Sequence, residues 1–187
     1  MLTDVIRLKG PAWLPGALDP DTRLLGDEDR MAAAIALAER NVREGTGGPF
    51  GALVIAEDGR VLGGGVNVVV SQCSSICHAE VMALVRAQMH VGRARLSGGD
   101  EGRVALVTSA QPCVMCFGAS FWAGLDELVI GARGEDVEAL SGFDEGPLPA
   151  DWVGELERRG IAVRPDVLRD RSRDVLRTYG EADGVRY

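Results

Sequence analysis

The stretch that decides the fold is Val104-Ala105-Leu106-Val107-Thr108, followed after Ser109-Ala110-Gln111 by Pro112-Cys113-Val114-Met115-Cys116-Phe117. An apolar run without polar alternation reads as a strand buried on both faces, as in a sheet covered by helices. Pro112 marks a helix start, because the N–H that proline lacks would have no partner in a first turn. That helix opens with two cysteines three residues apart, which places both on one face of one turn.

Working outward gives the same alternation. Residues 1–26 form an irregular N-terminal extension punctuated by Pro11, Pro15, Gly16, Pro20 and Gly26, with Leu2, Val5, Ile6 and Leu8 suggesting a short edge strand. Residues 27–187 read as one domain. Asp27-Glu28-Asp29 suit the positive end of a helix, and Met31, Ala34, Ile35, Ala38 and Val42 give it one apolar stripe. Phe50–Ala56 and Val61–Val70 make a hairpin around Glu57-Asp58-Gly59. Gly63-Gly64-Gly65 marks a bulge, or a place where a ligand approaches the backbone. The loop Ser71–Cys77 leads into a second helix from about His78 to Gly92. Downstream lie a strand at Leu128–Ala132, short helices at Glu135–Leu140 and 150–159, a strand at Ile161–Val163 and a helix at 166–179. A tail able to cover a pocket runs on to Tyr187. This order predicts an α/β fold with a mixed, largely parallel five-stranded sheet covered on both sides.

Composition narrows the function. The chain has 187 residues, 46% of them apolar, enough for one sizeable core. No run of about 18 apolar residues is present, so no membrane span or membrane partner is expected. Met1-Leu2-Thr3-Asp4 does not open a secretory signal, which points to the cytoplasm. In that setting Cys73, Cys77, Cys113 and Cys116 suit metal binding or reduced thiols better than disulfides. The net charge is −8, with no Lys/Arg-rich tail. Arg93 and Arg95, and the acid-interleaved Arg169, Arg171 and Arg173, read as solvated faces. The expected partner is a small molecule and not a nucleic acid.

The metal candidates converge on one set. His78, like the cysteine pair, stands at a helix start after a strand and loop. His78, Cys113 and Cys116 supply three ligands for Zn2+ and leave a fourth position open for water, the layout of a catalytic site. Two helical residues apart is about 200° of rotation, so Glu80 shares a pocket with His78 only if His78 lies at the very start of its helix. In that place Glu80 would carry protons to and from the activated water. Cys-x-x-Cys alone also suits a redox pair or core thiols, and all four cysteines together would make a closed structural site. The upstream His-x-Glu favours the catalytic set. His90 reads as a helix-end surface residue.

At these residues the chain resembles the cytidine deaminase-like superfamily, from about Asp29 to Val163. Within it, several segments resemble the bacterial guanine deaminase branch. They are Gly48-Pro49-Phe50-Gly51-Ala52, Asn67, His78-Ala79-Glu80-Val81, Pro112 to Ala119, Phe121-Trp122-Ala123 and Gly142-Phe143-Asp144-Glu145. The resemblance implies a three-layer α/β/α sandwich and zinc-dependent hydrolytic deamination of a nucleobase, guanine to xanthine and ammonia. It implies that Asn67 contacts the base and that Phe143-Asp144-Glu145 closes over it, with Asp144 or Glu145 reading the ring or moving protons. It also implies a homodimer, domain-swapped in some members. Guanine's N1–H and amine are donors that a carboxylate accepts. Phe50, Trp122 and Phe143 are candidates for the flat apolar walls that a purine needs. Gln111 stands where the family has Glu, and Ile76-Cys77 replaces small residues before the histidine. These departures leave guanosine, cytosine or an amino-triazine such as ammeline as alternative substrates. The tRNA adenosine deaminase branch shares the motif, but the acidic charge opposes it. A non-catalytic zinc-stabilised domain is opposed by the intact Glu80.

Overall fold

The computed structural model describes residues 4–19 and 21–187. Five mostly apolar strands build its centre: β1 (Gly51–Ala56), β2 (Val61–Val66), β3 (Val104–Ala110), β4 (Glu127–Ala132) and β5 (Ala162–Arg164), in the spatial order β2-β1-β3-β4-β5. Every residue of β1, β3 and β4 is buried. Helices therefore cover both faces. On one side α3 (Ala79–Val91) and α4 (Val114–Ala123) meet Ala52, Val54, Leu106 and Leu128. On the other, α1 (Asp27–Arg43) and α7 (Arg169–Glu181) meet Leu53, Ile55, Val107 and Val129. The result is the expected three-layer sandwich with a mixed five-stranded sheet. No helix among the described residues is long and apolar enough to cross a membrane.

Several local expectations need correction. The sheet is not largely parallel: β1 is antiparallel to both β2 and β3, and only β3–β4 and β4–β5 are parallel. The return strand stops at Val66, and Val69–Gln72 instead forms a single helical turn, α2. The chain leaves the ladder at Asn67, whose Oδ1 accepts from the Val69 N–H, and the Val68 N–H turns to the Cys77 carbonyl. Val5, Ile6 and Leu8 form no strand; Leu8 packs toward the α1 side, and Leu2 lies outside the described residues, as does Pro20. The ladder contact of that segment is an isolated bridge between Arg23 and Arg60.

The triple glycine serves helix packing. A Cβ on Gly65 would lie 2.1 Å from the Ala79 carbonyl oxygen, and one on Gly63 would lie 2.4 Å from that of Ala83. Bare backbone at these positions lets α3 lie directly on β2, so the expected ligand is a helix of the same chain. The β1–β2 register also shifts here, with Leu62 left over between the pairs Val54–Gly63 and Ile55–Val61.

On the far side of the sheet, α5 (Gly134–Ser141) is fastened to α7 through one carboxylate. Asp136 Oδ2 accepts from the Arg133 N–H at 2.9 Å, which caps α5, and from Arg169 Nε at 2.7 Å. Arg169 chiefly holds the Asp136 carboxyl below the ordinary range. The short helix α6 (Trp152–Glu157) completes the order.

Candidate active site

Two helix starts create the site. His78 precedes α3 with extended backbone (φ −71°, ψ 158°), and Cys113 precedes α4 in the same way (φ −64°, ψ 172°). Neither side chain is confined to a helix surface, so His78 and Glu80 reach one cleft. Cys116, in the first turn of α4, is fully buried. His78 Nδ1 lies 3.5 Å from Cys113 Sγ, and the three ligand atoms all fall within 4.8 Å of one another. With Zn–N near 2.1 Å and Zn–S near 2.3 Å, the N–S edge of a tetrahedron is about 3.6 Å, so this donor set fits one zinc ion. Cys77 is buried elsewhere and Cys73 is exposed, so the four-cysteine arrangement does not form.

The thiols and the imidazole share their protons accordingly. The hydrogen bond with Cys116 chiefly lowers Cys113, to about 4, and His78 adds to that. The same bond pushes Cys116 upward. Burial pulls His78 down, but Cys113 and the nearby Glu80 together outweigh that and the net shift is upward. The α3 and α4 N-termini add positive potential, which favours thiolate and water-derived anions at this point. Glu80 is only 5% exposed, and burial raises its carboxyl above the usual range. The Thr108 hydroxyl donates to Glu80 Oε1 at 3.3 Å.

The cleft over these residues has a volume of about 260 Å³. Phe50 and Phe143 meet edge to face in its wall, with ring centroids 5.3 Å apart. Glu145 is buried and lines the cleft; burial first, and then Glu80, push its carboxyl up to about 9. Its carbonyl accepts from the Val114 N–H, tying this loop to the start of α4. Asp144 lies at the exposed rim and accepts from the Gly146 N–H at 2.7 Å. Asn67 is 1% exposed, and its Nδ2 has no hydrogen-bond partner. Tyr187 does reach over the site, 6.2 Å from the His78 ring and 5.1 Å from Phe143. Burial raises its hydroxyl pKa, and the Asn67 side chain pulls the other way.

Trp122 does not wall this cleft. It is 78% exposed on the outer side of α4, beside Val81 and Val85 of α3. Phe117 and Phe121, not Trp122, are the aromatics of α4 that pack on the core. Thr108 was not foreseen as a partner of Glu80, although it is the polar end of an otherwise apolar strand. A larger cavity, about 380 Å³, lies between residues 10–19 and β2 and contains none of the site residues.

The cytidine and deoxycytidylate deaminase zinc-binding region matches residues 26–132, which span every ligand and Glu80. The guanine deaminase of Bacillus subtilis (strain 168) is 36% identical over 137 residues, covering 73% of this chain and 83% of that protein. A solved guanine deaminase from Nitrosomonas europaea superposes with a TM-score of 0.91 at 41% identity, covering 97% of this chain and 99% of that one. A crystal structure in complex with 2,6-diaminopurine superposes at 0.92 with 43% identity, covering 98% and 97%. With its three ligands, its carboxylate and its sandwich in place, the chain belongs to the zinc-binding cytidine and deoxycytidylate deaminase family, on the guanine deaminase branch, and is a zinc-dependent aminohydrolase.

Proposed function

We propose that the chain hydrolyses free guanine to xanthine and ammonia. The observation that carries this reading is the second buried carboxyl, Glu145, in the same cleft as Glu80 and the ligand set. A purine with donors at N1 and at its 2-amino group suits such an acceptor. Complexes of similar proteins with 8-azaguanine and 2,6-diaminopurine support a purine-sized occupant.

His78, Cys113 and Cys116 would hold the zinc ion, which when bound would supply a water of lowered pKa. Glu80 would take one proton from the attacking water as that water adds to C2 of the ring. The same carboxyl passes this proton to the ring nitrogen beside C2 and brings the second to the amine. The C2–N bond then breaks and ammonia leaves. Asn67 and Glu145 hold the ring by its polar edge, and Phe50 and Phe143 hold it by its apolar faces. Asp144, at the rim, guides entry.

The zinc-loaded chain is expected to release ammonia fastest from guanine in a panel with guanosine, cytosine and ammeline. If none of these is deaminated, the reading is wrong. We also propose a homodimer in which a second copy covers the exposed Trp122 face of α3 and α4. Light scattering should give twice the chain mass, and Trp122→Glu should shift it to the monomer.

A further inference from the structure

We infer that Asn41, with Thr46 and Trp13, is a positioning chain for Asn67, through which the segment ahead of α1 sets how tightly the base is held. This rests on the reading that Asn67 touches the substrate.

Asn41 lies near the end of α1 and is fully buried. A carboxamide there must satisfy two N–H groups and a carbonyl. Its Nδ2 donates to the Gly48 carbonyl and to the Asn67 carbonyl, each at 2.8 Å. Its Oδ1 accepts from the Thr46 hydroxyl at 2.7 Å. The Thr46 oxygen in turn accepts from the Trp13 indole N–H at 3.2 Å. The Thr46 hydroxyl has a second, longer acceptor in the Asn41 carbonyl at 3.3 Å, but Oδ1 is the nearer, and the indole and amide N–H groups can only donate, so the bonds run from the indole to Asn67. A reversed Asn41 amide would set its oxygen against two carbonyls. The guanidinium of Arg40 lies 4.6 Å from the Trp13 ring centroid and holds that end in place.

The chain grips the Phe50 wall of the cleft and the adjoining Asn67 at once. Gly48 accepts from the Phe50 N–H, and the Asn67 N–H donates to the Phe50 carbonyl. The loop lies flush against Asn67: a Cβ on Gly47 would sit 1.8 Å from the Asn67 carbonyl oxygen. The main chain of Asn67 is therefore held at both its N–H and its carbonyl, while its side-chain Nδ2 completes no hydrogen bond and has the Tyr187 hydroxyl nearby. A buried donor without a partner, on a backbone held this firmly, is suited to a ligand acceptor. Trp13, the origin of the chain, lies ahead of the family-matched residues 26–132.

The test measures kcat and KM for guanine, zinc content and Tm in Asn41→Ala, Thr46→Val, Trp13→Phe and Asn67→Ala, and in doubles with Asn67→Ala. Thr46→Val and Trp13→Phe each remove one hydrogen bond and should raise KM about 3- to 10-fold with kcat within about 2-fold. Zinc should stay at one ion per chain. In the Asn67→Ala background the same changes should no longer move KM. A KM effect that persists in full in that background, or a lowered Tm with KM unchanged, overturns the proposal. If Asn67→Ala itself leaves KM unchanged, the substrate role of Asn67 falls and the proposal falls with it. Thr46→Val and Trp13→Phe keep the test open if Asn41→Ala does not fold.

Discussion

His78 and Glu80 would point about 200° apart on a continuous helix. They share a cleft because His78 keeps extended backbone one residue before α3 begins. The proposed roles then divide: His78, Cys113 and Cys116 are placed to hold the ion, and Glu80 would move protons without touching it. Glu80→Gln should accordingly keep one zinc per chain and its fold while kcat for ammonia release falls about 10³-fold. Zinc lost in step with activity would break that division. At this scale the ligands were legible, because tetrahedral zinc needs fixed residue types at fixed spacing. Between Asp144 and Glu145 nothing in the sequence discriminates, since a loop has no periodicity. The bond from Asp144 to the Gly146 N–H keeps it at the rim, and Glu145 is the one that is buried. Trp122 was misplaced for a related reason: a helix apolar nearly all round, as α4 is, does not reveal which side docks.

Between elements, contact depends on how closely backbones approach. Gly65→Ala should force α3 off β2, costing about 1–3 kcal/mol and lowering Tm by roughly 5 °C. Gly118→Ala is the control, because a Cβ there meets nothing within 4 Å, and its Tm should hold or rise. Equal losses in both would remove close approach as the reason for the glycines. The hairpin, the helices other than α2 and their order were visible in apolar periodicity. The antiparallel pairing of β1 with β3 was not, because both strands are buried on both faces and carry no sign of direction. The clasp between α5 and α7 was also invisible, since Asp136 and Arg169 are 33 residues apart. Arg169 holds the Asp136 carboxyl low, so its contribution to stability is complete above the unfolded pKa near 3.9 and is lost as pH falls through the lower folded value. Asp136→Asn should therefore cost about 1–3 kcal/mol at pH 7 in urea unfolding, and the deficit should shrink below pH 4. A deficit that does not change with pH would exclude the carboxylate as its source.

For the whole molecule, the sheet and two helical layers supply the core, and the metal joins elements that are already packed. Stripping zinc with a chelator should lower Tm by roughly 5–15 °C, with the far-ultraviolet circular dichroism at 25 °C kept. Unfolding at 25 °C on chelation would mean that the ion, not the core, holds the sandwich together. The two halves of the ligand set stand 35 residues apart, one beyond β2 and one beyond β3, and both strands are paired to β1. A slip of one residue in either ladder would carry its ligand about 3.3 Å along the strand, beyond the reach of a bond near 2.3 Å. Zinc uptake would thus act as a gauge of register: only a chain whose two ladders are both correctly aligned would close the site. Misaligned chains would stay metal-poor, and the ion would sort correctly assembled molecules from the rest before any substrate arrives.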